Sequence, residues 1–218
     1  MTKPIDLYWS FRSPYCYLSM DRLFKIPNEL DVSINTRHVW PGAMRRQGYF
    51  NRLHPNYPAY NGIDSLRTAA YLEIPYARPE PDPLVFDQQT REPIADQPYI
   101  RRLTRLALAA RELGAEHAFL QALMRLIWDG ETQGWDSGNH IENRATSVGL
   151  DYAELVRLAN DTSAAFDAEV DANGQRLETA GHWGVPCMVF EDEPFFGQDR
   201  IDMLIWRIKQ SDAQSKRK

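Results

Sequence analysis

The amino-acid sequence predicts an α/β protein in which a single sheet is built from the two ends of the chain. Strand patterns occur near the start and near the end of its 218 residues, whereas helical patterns fill the middle. The first end reads as strand, helix and strand, and the last end as two strands and a helix. One sheet shared by both ends, covered by helices, accounts for this order of elements.

The N-terminal part of the predicted sheet begins with a short apolar strand at residues 5–9. A turn follows, and then apolar residues recur at helical spacing. Pro14 lies in the first turn of this helix, where its missing N–H group costs little, so Ser13 falls at the N-cap. A second strand is predicted at residues 32–39, where apolar residues alternate with polar ones.

The middle of the chain is predicted to be helical. Residues 41–59 are rich in Arg, Asn, Tyr and Pro without a clear period, which indicates a long loop with a short helix. A proline-rich connection is predicted at 78–98. Amphipathic patterns predict helices at residues 63–72, 99–113, 117–128, 140–148, 152–159 and 164–177.

Strand patterns return only near the C-terminus, at residues 186–191 and 194–196, with Asp192 and Glu193 as the predicted turn pair. A helix is predicted from Gln198 to Lys209, followed by a polar, frayed tail. This order is that of a thioredoxin-like fold interrupted by a large all-helical insertion. The predicted units are the N-terminal part of the thioredoxin-like domain at 1–55, the helical insertion at 56–180 and the C-terminal part at 181–218.

The composition excludes several classes of partner. The formal net charge of −5 provides no basic excess for nucleic acid or anionic lipid, so neither is an expected partner. No apolar run is long enough to cross a membrane, and the first residues lead directly into a strand, which predicts a cytoplasmic protein. The two cysteines, Cys16 and Cys187, are too few for a disulfide framework and are expected to be thiols.

Ser13 is the first candidate for chemistry. A hydroxyl at the start of a helix lies beside unpaired backbone N–H groups and the positive end of the helix dipole, where an anion is stabilised. Position alone favours simple capping. Ser13 and Cys16 also occupy the place where disulfide oxidoreductases of this fold carry two cysteines. With serine at the exposed first place, dithiol redox chemistry is disfavoured.

Two distant segments are candidates for ligand binding. The Val185–Pro186 bond can be cis, which would present the Val185 backbone to a peptide-like ligand, although a plain loop before a strand is the commoner meaning of Gly-Val-Pro. Gln198 and Asp199 begin the last helix, where free amides can hold a carboxylate. Asp199 could instead simply complement the helix dipole.

The sequence predicts neither a metal ion nor a bound nucleotide. The five histidines are scattered without ligand spacing or partner cysteines. There is also no glycine loop of the kind that cradles phosphates.

Taken together, three segments carry a family resemblance. FRSPYCYL near the start, GVP before the third strand and FFGQDRIDML near the end resemble 2-hydroxychromene-2-carboxylate isomerases and kappa-class glutathione transferases. Tyr60, Asp64 and Arg67 match a helix pattern seen in the isomerases. The resemblance implies a DsbA-like thioredoxin fold, glutathione as cofactor, a small aromatic substrate and a homodimer. The implied reaction is cis-trans isomerisation of a conjugated aromatic oxo acid by reversible thiolate addition.

The resemblance also implies roles for individual residues. Ser13 would contact the glutathione sulfur, the Val185 backbone beside Pro186 would pair with the cysteinyl amide, and Gln198 and Asp199 would hold the γ-glutamyl end. An asparagine of the loop after the second strand is implied as well, and Asn51 and Asn56 are the candidates.

The family's lysine near the ligand has no counterpart, because the chain has no lysine between Lys25 and Lys209. The candidate replacements are Arg45, Arg46, Arg52 and His54. The candidate aromatic residues for a substrate pocket are Trp40, Tyr49, Phe50, Tyr57 and Tyr60.

Three alternatives stay open at this point: a kappa-type transferase, a DsbA-like thiol-disulfide oxidoreductase and a non-catalytic glutathione binder. The first would consume glutathione in proportion to product. The second would depend on Cys16 rather than on Ser13. The third would bind glutathione without turning over a conjugated substrate.

Overall fold

The computed structural model describes residues 2–215, and their side chains up to Asp212. A four-stranded mixed sheet consists of β1 (Lys3–Trp9), β2 (Val32–His38), β3 (Cys187–Phe190) and β4 (Glu193–Phe196). The strand order is β2-β1-β3-β4, with β1 and β2 parallel and the other neighbours antiparallel. Both ends of the chain therefore contribute to one sheet, which confirms the predicted fold class.

Along the chain, most of the helices come between β2 and β3. They are α1 (Pro14–Leu23), α2 (Ile26–Glu29), α3 (Gly42–Arg45), α4 (Tyr57–Tyr71), α5 (Pro98–Glu112), α6 (Glu116–Trp128), α7 (His140–Ser147), α8 (Tyr152–Asp161), α9 (Ser163–Thr179) and α10 (Ile201–Ser215). Single turns of 3-10 helix occupy Phe50–Arg52 and Gln198–Arg200. Helices α4 to α9 form the predicted insertion, while the exact domain bounds stay a prediction.

The two faces of the sheet are covered by different helices. Ile5, Leu7 and Trp9 are buried in the main core, which includes residues of α1, α5 and α6. Tyr8 points to the opposite face, where it packs with Leu177 of α9. This alternation follows from the two-residue period of a strand, and it leaves β1 in the interior and β2 at an edge of the sheet.

Two predicted boundaries are wrong. Helix α4 begins at Tyr57 instead of residue 63, because Pro58 in its first turn favours helix there while residues 57–60 are exposed and carry no apolar period. The hairpin turn consists of Glu191 and Asp192, which both have positive φ, instead of Asp192 and Glu193. Two-residue hairpin turns of this kind require positive φ at both central residues.

The loop and the C-terminal helix also differ in detail from the prediction. The predicted loop at 41–59 contains α3 and the 3-10 turn as well as the start of α4. Helix α10 extends to Ser215, beyond the predicted end at Lys209. The last part of the predicted frayed tail, residues 216–218, lies outside the described residues.

Candidate functional site

Ser13 caps helix α1 and also contacts the distant Val185 segment. Its Oγ accepts a hydrogen bond from the Cys16 N–H at 3.2 Å and donates one to the Val185 carbonyl at 3.3 Å. Pro14 occupies the first helical turn, as expected for a residue without an N–H group. The structure therefore places two predicted site residues, separated by 172 positions, in direct contact.

The Val185–Pro186 bond is cis, the isomer that the sequence allows. Val185 precedes β3, and its N–H makes no hydrogen bond within residues 2–215. The preceding residue, Gly184, donates its N–H to His182 Nδ1 at 2.9 Å. A loop that is fixed on both sides thus presents one free backbone donor beside Ser13.

Gly197 connects this loop to the start of the last helical segment. Its N–H donates to the Pro186 carbonyl at 2.9 Å, and its φ of +103° suits glycine. Gln198 and Asp199 follow as the first residues of a helical turn, where backbone N–H groups lack helical partners. The Gln198 side chain accepts a hydrogen bond from Arg22 of α1, whereas the Asp199 carboxylate pairs with neighbouring Arg200.

Cys16 lies directly behind Ser13 and is fully buried. Burial raises the pKa of its thiol to about 12, against the smaller opposing effect of the Ser13 hydroxyl. Burial also raises the pKa of Cys187 to about 12. Both thiols are therefore protonated at neutral pH, whereas thiol-disulfide exchange requires an accessible thiolate.

The loop after β2 carries a candidate asparagine and the first two candidate arginines. Asn51 lies exposed on the 3-10 turn and makes no side-chain hydrogen bond within the described part of the chain. Arg45 is half-buried and contacts the carbonyls of Trp40 and Trp183, while Arg46 forms an ion pair with Glu178 at 2.9 Å. Both arginines therefore already have structural roles.

The other candidates of this loop are scattered. Arg52 is exposed beside Asn51, and the His54 ring accepts a hydrogen bond from the Asn56 N–H. Trp40 is buried in the core with its indole N–H on Asp171, so it does not line a surface pocket. The remaining candidate aromatics, Tyr49, Phe50, Tyr57 and Tyr60, are partly or largely exposed.

Arg12 is a cation of the site that the sequence analysis missed. It directly precedes Ser13, and its Nε and Nη2 donate to both Asp82 oxygens at 2.8 and 2.9 Å. The guanidinium also lies over the Phe50 and Phe86 rings, 5.8 and 5.2 Å from their centroids. Its position directly before Ser13 was the only indication in the sequence that Arg12 belongs to the site. The sequence did not show that aromatic rings far along the chain hold the guanidinium there.

Helix α4 is attached to α1 beside Ser13 through Asp64 and Arg67, two of the residues that resemble the isomerase pattern. The Tyr15 hydroxyl donates to Asp64 at 2.7 Å, and Arg67 donates to the other oxygen of the same carboxylate at 2.7 Å. Hydrogen bonds from Arg67 and then Tyr15 lower the pKa of Asp64, while burial and the Asp64 contact raise that of Tyr15. Tyr15, two residues after Ser13, thereby joins α1 to helix α4 of the insertion.

Within residues 2–215, no group of three or more His, Cys, Asp or Glu side chains is arranged to hold a metal ion. The absence of a metal from the function stays a prediction. Across the same residues, no helix combines the length and the apolar character needed to span a membrane.

The sheet order, the helical insertion and a cis-proline loop facing the first helix together define a thioredoxin-like protein of the DsbA type. The chain belongs to the DSBA-like thioredoxin domain family, whose model matches residues 4–209. The fold predicted from the sequence is therefore confirmed.

Comparisons with individual proteins agree with the resemblance seen in the sequence. The chain is 28% identical to 2-hydroxychromene-2-carboxylate isomerase of Sphingobium xenophagum over 208 residues, which cover 94% of this chain and 97% of the relative. A solved 2-hydroxychromene-2-carboxylate isomerase structure matches with a TM-score of 0.70 at 20% identity, covering 98% of both chains.

Oxidoreductases share the same fold. A probable DsbA oxidoreductase from Streptomyces coelicolor matches with a TM-score of 0.67 at 19% identity, over 97% of this chain and 90% of that one. The cytosolic disulfide reductase DsbM of Pseudomonas aeruginosa, solved with GSH, matches with a TM-score of 0.60 at 15% identity, over 94% and 99% of the two chains. Such likenesses establish the fold, so the function has to be argued from the site.

Proposed function

We propose that this protein is a glutathione-dependent cis-trans isomerase of the 2-hydroxychromene-2-carboxylate isomerase type, acting on a conjugated aromatic oxo acid. The observation that carries the proposal is the contact between the Ser13 hydroxyl and the Val185 carbonyl, with the Cys16 thiol buried behind it. A hydroxyl at a helix start beside a free backbone donor suits a thiol-containing peptide.

The Val185 backbone has the groups that pair with an extended peptide. Its N–H is free, and its carbonyl is held only by the long 3.3 Å bond from Ser13. The cysteinyl N–H of glutathione can donate to this carbonyl in place of Ser13. The Ser13 hydroxyl is then free to donate its hydrogen bond to the nearby sulfur. Binding the tripeptide thus redirects the Ser13 hydroxyl toward the thiolate.

Ser13 and the start of α1 lower the free energy of a thiolate. The hydroxyl donates to the negative sulfur, and the helix dipole favours negative charge at this end. Bound glutathione supplies a thiolate that adds reversibly to the conjugated system, so that the former double bond can rotate before elimination restores it. Glutathione is then regenerated in each turnover.

The remaining proposed glutathione contacts are with residues on either side of the Ser13–Val185 pair. The backbone amides at Gln198 and Asp199 suit the α-carboxylate of the γ-glutamyl end, and the Asp199 side chain suits its ammonium group. Asn51, exposed on the 3-10 turn, is a further proposed contact of glutathione. Arg12 is the nearest cation in sequence to Ser13, and its Nη1 makes no hydrogen bond within residues 2–215.

Cys16 favours the isomerase over a thiol-disulfide oxidoreductase. An oxidoreductase needs an exposed thiolate, whereas Ser occupies the first position of the motif and the Cys16 thiol is buried with a pKa of about 12. We therefore expect Ser13→Ala to abolish most turnover and Cys16→Ser to have a mild effect. An oxidoreductase would give the opposite order.

The test uses 2-hydroxychromene-2-carboxylate as substrate and follows its isomerisation by absorbance in the presence of glutathione. Losing one hydrogen-bond donor to a developing anion lowers kcat by about 10² to 10³, so Ser13→Ala should fall into this range. Glutathione should be required but not consumed. Consumption in proportion to product would instead establish a kappa-type transferase, and binding without turnover a glutathione binder.

Ser13→Ala also removes a helix cap, so a matched control is needed. Asp151 caps α8 in the same way, accepting the Glu154 N–H at 2.9 Å. Asp151→Ala should lose a similar ~1 kcal/mol of stability while retaining activity. If Asp151→Ala and Ser13→Ala lost activity equally, the loss would be one of stability, and Ser13 would have no role in the reaction.

We also propose that the protein is a homodimer in the cytoplasm. Tyr60, Ile63 and Leu66 form an apolar row on α4 that is 57 to 61% exposed, and Met203 and Trp206 of α10 are similarly exposed. Unpartnered apolar faces of this kind favour self-association. The free thiols at both cysteines are in keeping with a reducing compartment.

A further inference from the structure

Strand β2 forms an open edge of the sheet, with β1 on one side only. The parallel ladder with β1 is bounded by hydrogen bonds from Lys3 N–H to Asp31 and from Val39 N–H to Trp9. Because backbone groups alternate between the two sides of a strand, the odd-numbered residues of β2 bond to β1. The N–H and C=O groups of Ile34 and Thr36 therefore point outward.

These outward groups face a groove of about 880 Å³. Four consecutive residues of β2, 34–37, line it. Since successive side chains point to opposite faces of a sheet, a groove that touches all four must run along the backbone edge. The start of α6 forms one wall, and α9 forms the other through Glu169 and Arg176.

A buried polar atom of the same strand lacks a partner. The Thr36 side chain is only 4% exposed, and its Oγ1 makes no hydrogen bond within residues 2–215. This atom has almost no accessible surface, so the hydrogen-bonding capacity along the groove comes from the four outward backbone groups.

The charges in the groove favour an acidic ligand. Its lining contains three arginines and two glutamates, and most of these charges already have a partner. Arg37 is paired with Asp6, Arg111 with Glu169, and Glu116 with His38. Arg176 has no carboxylate partner in the described part of the chain, where its guanidinium bonds only to the Asn173 side chain.

We propose that this groove binds an extended acidic peptide segment of another protein, which adds to the sheet as a strand beside β2. Main-chain hydrogen bonds to Ile34 and Thr36 provide the pairing, and a carboxylate of the peptide meets Arg176. At about 3.4 Å per residue, the lining of β2 accommodates roughly four or five peptide residues. The groove shares none of its lining with the Ser13 site, so this inference does not depend on the proposed isomerase function.

Hydrogen exchange with a synthetic probe tests the proposal. In the free protein, the Ile34 and Thr36 amides should exchange faster than those of Asn35 and Arg37, which bond to β1. Saturation with the blocked peptide acetyl-VEVEV-amide should slow exchange at Ile34 and Thr36 about tenfold or more. Acetyl-VEPEV-amide, which lacks the central N–H, should bind much more weakly.

Charge reversal identifies the role of Arg176. Arg176→Glu should weaken acetyl-VEVEV-amide about tenfold and favour acetyl-VKVKV-amide, because one attraction is replaced by a repulsion. Arg157→Glu is the matched control, since Arg157 is an exposed arginine of α8 outside the groove. It should leave the affinity for both peptides unchanged.

Three outcomes would overturn the proposal. The first is no added protection at Ile34 and Thr36 at millimolar peptide. The second is protection without peptide that rises with protein concentration, which would mean that a second copy occupies the edge. The third is peptide-induced change confined to Val185, which would mean that the probe binds at the proposed glutathione site instead.

Discussion

Replacing Gly184 by alanine tests how the Val185 backbone is held in place. A Cβ atom at this position would lie 2.5 Å from Cε2 and 3.0 Å from Cζ of the Phe196 ring, and 3.2 Å from Cε1 of His182. The two rings are stacked on each other at a centroid distance of 3.9 Å. Because each ring blocks the other, the new methyl group has to displace the Gly184–Val185 segment or separate the stack.

The expected effect has two parts. Overpacking of this kind typically lowers the free energy of unfolding by about 1 to 3 kcal/mol. Displacing Val185 also weakens the two proposed backbone hydrogen bonds to glutathione. At about 1 kcal/mol for each bond, the dissociation constant should rise about fivefold to thirtyfold. Since the substitution leaves Ser13 in place, kcat at saturating glutathione should change much less than KM for glutathione.

Calorimetric titration with glutathione and urea unfolding measure the two parts separately. Gly62→Ala is the matched control, because its Cβ would meet only the mobile end of Arg78 and neither glycine has positive φ. Because Gly62 lies in the interior of helix α4, Gly62→Ala should raise the free energy of unfolding by about 0.5 to 1 kcal/mol. When Phe196→Leu is added to Gly184→Ala, the double variant should regain part of the affinity for glutathione. Unchanged glutathione affinity in Gly184→Ala would refute the proposed pairing at Val185.

Two further predictions concern acid stability and assembly. The hydrogen bond from Lys3, followed by that from Ser211, lowers the pKa of Glu191 to about 2. The ionised Glu191 therefore stabilises the fold fully above the pKa of glutamate in the unfolded chain, and this stabilisation is lost as the pH falls from about 5 to 2. Urea midpoints should therefore decline over this range in the native protein and less steeply in Glu191→Gln, and parallel declines would contradict the assignment. Leu66→Glu should convert the proposed homodimer to monomers in analytical ultracentrifugation without loss of helicity, whereas an unchanged sedimentation coefficient would exclude the α4 face.

The sheet was predictable because its strands carry the expected local patterns. Residues 5–9 and 32–39 are apolar or alternating, and they become the central strand β1 and the edge strand β2 with only small changes at their ends. Helix α4 was only partly predictable. Residues 57–60 at its start are all exposed and carry no apolar period, so the amphipathic pattern indicates a helix only further along the chain.

Some candidate residues were predictable in position, because their placement depends on the local backbone. Ser13 and Val185 belong to this group, because Pro14 and Pro186 constrain the adjacent backbone whatever surrounds it. Arg12 was missed for the opposite reason. Its orientation depends on Asp82, Phe50 and Phe86, whose positions follow from packing of the long 41–98 segment rather than from any local pattern.

The contacts of Ser13 show that capping and the proposed chemistry are compatible. The Oγ atom accepts the Cys16 N–H through a lone pair, and it donates its single proton toward Val185. These roles use different parts of one hydroxyl. Accepting a hydrogen bond polarises the O–H group and strengthens it as a donor. The cap therefore supports the proposed contact with the thiolate, to which the Cys16 backbone contributes only through its hydrogen bond to Ser13 Oγ.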